Sequence, residues 1–296
     1  MIYLVFPTSW HPSQPYLSLP SLKAFLNMHG VHDVIQRDLA IELLNDLCTW
    51  EKTKPLYERI IRELNELSSK PRLTQEEGEK FNKLREAEEI VMALKDQIDA
   101  AVASQRSQEF YEIDQYMENL KIMDVWLDNI LAPYYPSQLT VIGSQMRFSP
   151  YSSQEVIDSF KHPEENFFYD LYQQWYLPDI LKEDIDILGI SITSVEQIIS
   201  GLTLAYLVKQ HRPEIHITVG GSVFTKLVDR LESQGSHLFD FVDSFVVHEG
   251  ETPLLRLVEQ LRGDRDLSKV PNLVYKKDGE VKVNRPFAKE ELNALP

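Results

Sequence analysis

Four polar or glycine-rich segments each follow directly after an apolar run that is typical of a buried β-strand. They are Pro7-Thr8-Ser9-Trp10-His11-Pro12-Ser13-Gln14-Pro15-Tyr16, Ser191-Ile192-Thr193-Ser194, Gly220-Gly221-Ser222 and His248-Glu249-Gly250-Glu251. The carboxyl ends of parallel strands lie along one edge of an open sheet, and ligands of such sheets bind outside that edge. Because four loops coincide there, the sequence predicts a site for a small ligand.

The Gly220-Gly221-Ser222 segment has two interpretations that the residues leave open. Glycine has no Cβ and tolerates positive φ, so a ligand could approach this backbone closely. The same property suits a tight turn from a strand into a helix. If the ligand interpretation holds, we expect Gly221→Val to abolish binding and to leave the fold intact.

The hydroxyls of Ser191, Thr193 and Ser194 precede a predicted helix, whose N-terminus would attract an anion. Helix capping is an equally good explanation for any one of the three. The chain contains neither the G-x-G-x-x-G nor the Walker sequence, which weakens dinucleotide and nucleoside-triphosphate hypotheses.

Four titratable residues in these loops have structural explanations. Glu249 and Glu251 are two residues apart, and Glu251 is better explained by the start of a helix near Thr252 than by paired-carboxylate chemistry. His11 and His248 are more typical of solvated loop residues than of metal ligands. No nucleophile-elbow sequence supports hydrolase chemistry, so we expect no catalytic residue and no metal ligand in this chain.

The composition narrows the class of protein further. The 296 residues carry a net charge of −16, which disfavours nucleic acid as a partner. No apolar stretch approaches the roughly 20 residues of a membrane helix, so we expect no membrane partner and a cytoplasmic location. Cys48 is the only cysteine, which excludes an internal disulfide or a cluster held by several thiolates of this chain. Its apolar helical surroundings predict a buried, inert thiol.

The elements that must position these loops alternate between strand and helix. Residues 1–38 predict strand, helix and strand, and residues 184–263 continue the alternation, which favours right-handed crossovers and a parallel sheet. The predicted fold class is α/β, with a flavodoxin-like or Rossmann-like five-stranded parallel sheet. Within residues 264–296, the Asp278-Gly279 turn predicts a C-terminal β-hairpin followed by a linker.

Residues 39–183 predict a long α-helical insertion after the second strand. Two apolar stripes at helical spacing are separated by Ser68, Ser69 and Pro71, and Thr74 with Glu77 forms a capping box for the second helix. Two short stripes of this kind favour an antiparallel helical hairpin over a coiled coil.

At its strand-end loops the chain resembles the N-terminal cobalamin-binding region of cobalamin-dependent radical S-adenosylmethionine enzymes. The resemblance covers most of residues 1–38 and 184–296, in the order of the family, and the helical insertion contributes little. The segments that carry it are 12–20, Gln36-Arg37-Asp38-Leu39, 186–194, Val219-Gly220-Gly221, 248–254, Val270-Pro271-Asn272-Leu273-Val274-Tyr275 and Asn284-Arg285-Pro286.

The resemblance implies a Rossmann-like domain that binds cobalamin, with the nucleotide tail along the strand-end edge. Ser191-Ile192-Thr193 precedes Gly220 by 26 residues, a spacing similar to the family's Ser-x-Leu and Gly-Gly elements, although Thr193 replaces the leucine. The Asp-x-His-x-x-Gly element is missing, so binding without an axial histidine is expected. The candidate cofactor contacts are Thr8, Ser9, Trp10, Gln14, Tyr16, Ser191, Thr193, Ser194, Gly220, Gly221, Ser222, Glu249 and Gly250.

In this family a TIM-like barrel follows, with a Cys-x3-Cys-x2-Cys motif for a [4Fe–4S] cluster. The chain lacks that motif, so the cluster and S-adenosylmethionine are expected only in a parent protein, of which a methyltransferase is one example. Residues 264–296 would lead towards that missing barrel in cis, and an excised piece is favoured over a stand-alone module.

The alternative hypothesis is a degenerate Rossmann-like domain that acts as a protein-interaction module through its helical insertion. The aromatic residues that could form such a docking surface are Trp50, Tyr57, Trp126, Phe167, Phe168, Tyr169, Tyr172, Trp175 and Tyr176.

Overall fold

A computed structural model describes residues 1–11, 14–289 and 295 of the chain. Pro12 and Ser13, and all of the predicted linker 292–296 except Leu295, lie outside the described residues. The strands are β1 (Ile2–Phe6), β2 (Val34–Asp38), β3 (Gln138–Leu139), β4 (Ser144–Gln145), β5 (Ile187–Ser191), β6 (His216–Gly220), β7 (Ser244–Val246), β8 (Leu273–Lys277) and β9 (Glu280–Val283).

Seven of these strands form one mixed sheet in the order β2-β1-β5-β6-β7-β8-β9, while β3 and β4 pair separately as a short antiparallel ribbon. The first five are parallel, in the order that the alternating sequence pattern predicts for a doubly wound sheet. The predicted hairpin, β8-β9, is present, but it is not separate from the sheet. Because β8 pairs antiparallel with β7, the sheet has seven strands instead of five.

The helices lie in the connections between strands, and the segment between β2 and β5 holds most of them. They are α1 (Ser18–Met28), α2 (Leu39–Leu47), α3 (Trp50–Ser68), α4 (Gln75–Leu94), α5 (Ile98–Ser104), α6 (Ile113–Ile130), α7 (Ser153–Ser159), α8 (Phe167–Leu171), α9 (Leu177–Lys182), α10 (Gln197–His211), α11 (Ser222–Lys226), α12 (Val228–Gln234) and α13 (Glu251–Arg262). The connection between β6 and β7 holds two short helices, α11 and α12, since the backbone leaves the helical region at Leu227.

The predicted start of α4 is confirmed in detail. Thr74 Oγ1 accepts the backbone N–H of Glu77, and the Glu77 carboxylate accepts the backbone N–H of Thr74, which forms a reciprocal capping box. Helices α3 and α4 pack against each other on either side of this turn.

The two faces of the sheet have different covers. One core cluster joins Tyr3 and Val5 of β1 to α10 and to the helical insertion, including Trp126 and Phe167. The other cluster joins Leu4 of β1 to α1 and α13. The insertion therefore shares one continuous core with the sheet.

Most of the aromatic residues considered for a docking surface are core residues. Trp126, Phe167, Phe168, Tyr172 and Tyr176 are buried. Trp50, Tyr57, Tyr169 and Trp175 are partly buried and pack against the same core. Cys48 is fully buried, as predicted, and burial raises the pKa of its thiol far above its usual value. Among the described residues, no helix is both long and apolar enough to cross a membrane.

Candidate functional site

A cavity of about 890 Å3 lies on the α1/α13 face of the sheet and opens at the carboxyl ends of β5, β6 and β7. Its apolar wall is formed by Leu4, Leu19, Leu22, Val246 and Leu254, and Pro15, Tyr16 and Leu17 lie at its rim. Its polar lining comes from Ser18, Ser21, Ser191, Thr193, Thr218, Ser222, Thr225, Lys226, His248, Glu249 and Glu251. A mostly apolar cavity with a few converging polar groups is the usual form of a small-molecule site.

Two glycines of the central strands face α1 and α13, and one of them leaves room for the cavity. In the strand register Leu4 pairs with Gly189 and Gly189 pairs with Thr218. A Cβ on Gly189 would lie 2.8 Å from Leu4 Cδ2, so Leu4 leans over this position. A Cβ on Gly220, in the next row, would meet only Val246 within 4 Å. Gly220 therefore leaves open space where most strand residues would place a side chain.

Gly221 has a structural role that the ligand interpretation did not anticipate. Its φ is +113°, and a Cβ there would lie 2.0 Å from the carbonyl oxygen of Ile192. The close approach is to the neighbouring loop of the protein itself. The expectation that Gly221→Val would leave the fold intact is wrong, because the new side chain would overlap the Ile192 backbone. Gly220 is the glycine whose substitution can test binding.

The loop after β5 is fixed by Gln197, which is fully buried at the first turn of α10. Its Oε1 accepts the backbone N–H groups of Thr193 (2.9 Å) and Ser194 (3.2 Å), and its Nε2 donates to the carbonyl oxygen of Pro7. The Ser194 hydroxyl donates to Glu196. Because Gln197 accepts the hydrogens of both backbone amides, neither amide is free to bind an anion at this helix N-terminus.

Thr8 and Ser9 face the helical insertion and do not line the cavity. Thr8 Oγ1 lies 2.9 Å from the hydroxyl of Tyr172, and burial raises the pKa of Tyr172 to about 12. Ser9, at a φ of +72°, places its hydroxyl 3.1 Å from that of Ser144 in β4. These contacts hold the start of the β1–α1 loop against the insertion.

Trp10 and Tyr16 form a small aromatic cluster with Phe6 at the end of β1, and Gln14 is hydrogen-bonded to it. The indole N–H of Trp10 donates to the carbonyl oxygen of Gln14, and the rings of Tyr16 and Phe6 are stacked with centroids 5.5 Å apart. Of these residues only Tyr16 lines the cavity.

Eight of the sequence-predicted residues line one cavity although they come from four loops: Tyr16, Ser191, Thr193, Gly220, Gly221, Ser222, Glu249 and Gly250. The five that the structure places elsewhere are Thr8, Ser9, Trp10, Gln14 and Ser194.

Loop 248–251 closes the cavity on the α13 side. The Glu251 carboxylate accepts hydrogen bonds from the hydroxyl of Ser21 and the backbone N–H of Gly250. Glu251 therefore lies at the start of α13, as the helix-start interpretation predicts, and it links α13 to α1. The backbone of His248, at a φ of +63°, donates to Thr225 Oγ1 over 2.7 Å.

Asn272 braces the same loop from behind. It is almost fully buried, and its amide donates to the carbonyl oxygens of Glu249 (3.4 Å) and Ala288 (3.0 Å) and accepts the backbone N–H of Ala288. The imidazole of His248 packs on the ring of Phe287, with centroids 4.3 Å apart. The cavity loop and segment 287–288 are therefore held together.

Sequence reasoning missed several lining residues because they lie inside elements instead of in loops. Ser18 and Ser21 belong to α1, and Thr218 lies two residues before the end of β6. The signal that could have found Thr218 is the alternation of His216, Thr218 and Gly220 with Ile217 and Val219, which separates the two faces of the strand.

The electrostatic contrast within the cavity comes from one cation and two carboxylates. Lys226 is exposed at the rim and forms no ion pair among the residues that the structure describes. Glu249 is exposed, whereas Glu251 is engaged as described above. A ligand with an anionic group at the mouth would meet Lys226 there.

A potential metal-binding group lies in the helical insertion, outside the cavity. The ligand atoms of His162, Glu164 and Glu165 lie within 4.8 Å of one another. His162 Nδ1 lies 2.8 Å from the Glu164 carboxylate and Arg147 forms a salt bridge with Glu165 (2.7 Å), so both carboxylates have partners within the protein.

Comparison of the sequence with protein-family models gives no match, and a search of curated proteins finds no significant relative.

Proposed function

We propose that the chain binds cobalamin and that the cavity between the sheet and α1/α13 takes its nucleotide tail. The observation that carries the proposal is the position of the cavity. It opens at the carboxyl ends of three parallel strands, between the loops whose residues resemble the cobalamin-binding family. Its volume of about 890 Å3 lies within the range typical of small-molecule sites.

The chemistry of the lining fits such a tail. An aromatic base needs an apolar slot, which the leucine side chains of α1, α13 and β1 provide opposite the bare backbone of Gly189 and Gly220. A ribose needs hydroxyl partners. Ser18 and Ser191, whose hydroxyls are 2.9 Å apart, lie beside Gly220, because Ser191 pairs with Gly220 in the strand register. A phosphodiester needs a cation near solvent, and Lys226 is at the rim.

In this proposal each part of the chain binds or orients. Gly220 keeps the slot open, Gln197 holds the β5–α10 loop in place, and Asn272 braces loop 248–251. A bound corrinoid supplies methyl-transfer and redox chemistry that side chains lack.

The same resemblance supports the proposal that the parent protein is a radical S-adenosylmethionine enzyme, such as a methyltransferase, with its barrel in cis. Its [4Fe–4S] cluster would need several thiolates. Cys48 cannot contribute one, because it is fully buried within the core. Both the cluster and S-adenosylmethionine are therefore assigned to the barrel.

The proposal is tested by mixing the chain with hydroxocobalamin, removing free ligand by desalting, and recording the visible spectrum of the protein fraction. We expect a retained corrin spectrum. Gly220→Val should fill the slot and weaken binding by at least about tenfold, a loss of about 1.4 kcal/mol. Gly78→Val, at a helical position with no atom within 4 Å, is the matched control and should bind like the wild type.

Failure of the wild type to retain any corrinoid well above micromolar concentration would overturn the proposal. Equal binding by the Gly220→Val variant would show that the nucleotide tail lies outside this cavity.

A further inference from the structure

Three polar side chains form a hydrogen-bonded chain inside the sheet face that carries the cavity. His216 Nε2 lies 2.9 Å from Ser244 Oγ, and Ser244 Oγ donates to Thr218 Oγ1 over 3.0 Å. Thr218 and Ser244 face each other in the strand register, in the same row as Leu4 and Gly189. Ser244 is fully buried and Thr218 is almost so, yet Thr218 lines the cavity.

The direction of this chain follows from its geometry. Because the Ser244 hydroxyl hydrogen points to Thr218, His216 Nε2 must carry a hydrogen and donate to Ser244. The burial that lowers the pKa of His216 to about 4 keeps the ring neutral at pH 7, as the Nε2–H tautomer. Thr218 Oγ1 thus accepts one hydrogen bond, and its own hydrogen meets no acceptor in the described part of the chain.

Packing alone does not explain these residue types. The surrounding face is apolar, with Leu4, Ile187 and Leu254 in its core cluster. A valine is nearly isosteric with Thr218 and favours strands at least as well. Buried hydroxyl and imidazole groups cost free energy unless every hydrogen finds a partner. The hydrogen-bonded series His216, Ser244 and Thr218 ends with the Thr218 hydroxyl hydrogen at the floor of the cavity. A bound ligand that supplies an acceptor for this hydrogen would explain why these three polar residues are present.

We infer that the Thr218 hydroxyl is a preset hydrogen-bond donor that selects ligands with an acceptor atom on the ring in the buried part of the cavity. The inference rests on the proposed function, in which that ring is the base of the corrinoid nucleotide. When it is not coordinated to cobalt, the benzimidazole of a corrinoid nucleotide has one ring nitrogen free to accept a hydrogen bond, because the other nitrogen carries the ribose. Ser244 and His216 act as positioning residues, because they fix the direction of the Thr218 hydroxyl.

The test compares three corrinoids by equilibrium titration followed in visible absorption. Hydroxocobalamin carries the benzimidazole base, a p-cresolyl cobamide carries a ring without nitrogen, and cobinamide lacks the nucleotide. The preference for hydroxocobalamin over the cresolyl cobamide should be about tenfold greater in the wild type than in Thr218→Val, a comparison in which the cost of releasing the base from cobalt cancels. Thr218→Val should leave cobinamide binding unchanged, whereas Thr218→Ser, which keeps the hydroxyl, should retain the wild-type preference.

Two further measurements keep the result interpretable. Cobinamide binding reports the folded fraction of each variant, and Ser244→Ala, which keeps Thr218 but releases its orientation, should lose part of the preference. Ser18→Ala removes a second hydroxyl of the cavity lining, since Ser18 accepts from Ser191 and its own hydrogen meets no acceptor in the described residues.

The outcomes separate the two proposals. If the wild type binds none of the corrinoids, the proposed function fails and this inference falls with it. If the wild type binds and Thr218→Val keeps the full preference, only this inference is overturned. A preference lost in Ser18→Ala but kept in Thr218→Val would assign the contact with the ligand's acceptor atom to Ser18. That result would also overturn the inference about Thr218.

Discussion

The two faces of the central sheet are built from the same strands, but one face is filled with side chains and the other contains a cavity. The face towards α10 and the insertion carries a large apolar side chain at each inward position: Tyr3, Val5, Leu188, Ile190, Ile217, Val219 and Phe245. The face towards α1 and α13 carries large apolar residues in β1, Ile2, Leu4 and Phe6, but several small or polar residues in β5, β6 and β7: Gly189, Ser191, Thr218, Gly220 and Ser244.

The difference shows where the sequence gives up stability. Burying an aliphatic side chain stabilises a fold by roughly 1.5–3 kcal/mol. The cavity face lacks this stabilisation at Gly189 and Gly220, which have no side chain to bury. The filled face also fixes the loops, since Gln197 and Tyr172 reach the β1 loop from that side. One face therefore acts as the scaffold and the other keeps open space.

The largest expected effect tests the junction of the two faces at Gly221. Gly221→Ala should lower the free energy of unfolding by roughly 4 kcal/mol or more, because the methyl group overlaps the Ile192 carbonyl at a positive φ. Gly30→Ala, at a φ of +82° with no atom within 4 Å, should cost only about 1 kcal/mol. Urea unfolding measures both, and equal losses would mean that the Ile192 contact relaxes freely.

The second effect tests the polar chain of the open face by pH. His216 has its pKa lowered to about 4 by burial, from 6.5 in the unfolded chain. Between these values only the unfolded state binds the proton, so stability falls as pH drops from about 6.5 to 4, by up to about 3 kcal/mol. His216→Asn should lack this step in urea unfolding at pH 4.5 and 7. The same slope in both proteins would contradict the assignment.

The third effect tests the scaffold face. Gln197→Ala removes a buried amide that holds two loops and leaves its partners unpaired, which should cost about 2 kcal/mol. Hydrogen exchange at the amides of Thr193 and Ser194 should accelerate. Gln154→Ala, whose side chain bonds only Asp158 at the surface, is the control and should change stability by less than about 0.5 kcal/mol. Unchanged exchange at the two amides would show that Gln197 is not their principal partner.

The smallest effect has the opposite sign. Gly220→Ala adds a Cβ at ordinary contact distance from Val246, and Gly220 has no positive φ. It should therefore stabilise the fold by roughly 0.5 kcal/mol, since the unfolded chain loses freedom. Thermal unfolding measures the gain. Destabilisation would show that the cavity face does not have the room inferred from Gly220.

Local patterns were sufficient to predict the strands of the main sheet, the alternation of helices and the edge at which four loops meet, but not the short β3-β4 ribbon within the insertion. The Thr74–Glu77 cap and the buried Cys48 are also short-range signals, and both are confirmed. The hairpin's place in the sheet was missed because strand pairing between β7 and β8 is not encoded in either segment alone.

The sequence predicted the region of the site but not the residues that form its floor. Loop residues were found because they follow strands, but the cavity floor comes from Gly189 and Thr218, which lie within apolar runs. Gln197 and Gly221 act through partners distant in sequence or in an adjacent loop, Pro7 and Ile192. Such contacts depend on tertiary packing, so spacing alone could not distinguish a ligand contact from a structural one.

The position of the insertion also has a consequence for biosynthesis. Strand β1 lies between β2 and β5, but residues 39–186 separate those neighbours in the chain. At roughly 5–20 residues per second, a ribosome needs about 7–30 s to make that stretch. Meanwhile the helices that emerge can already cover Tyr3 and Val5, with which they share a core. Both faces of β1 can therefore be covered before β5 is made, the face of Leu4 by α1 and the face of Tyr3 and Val5 by the insertion.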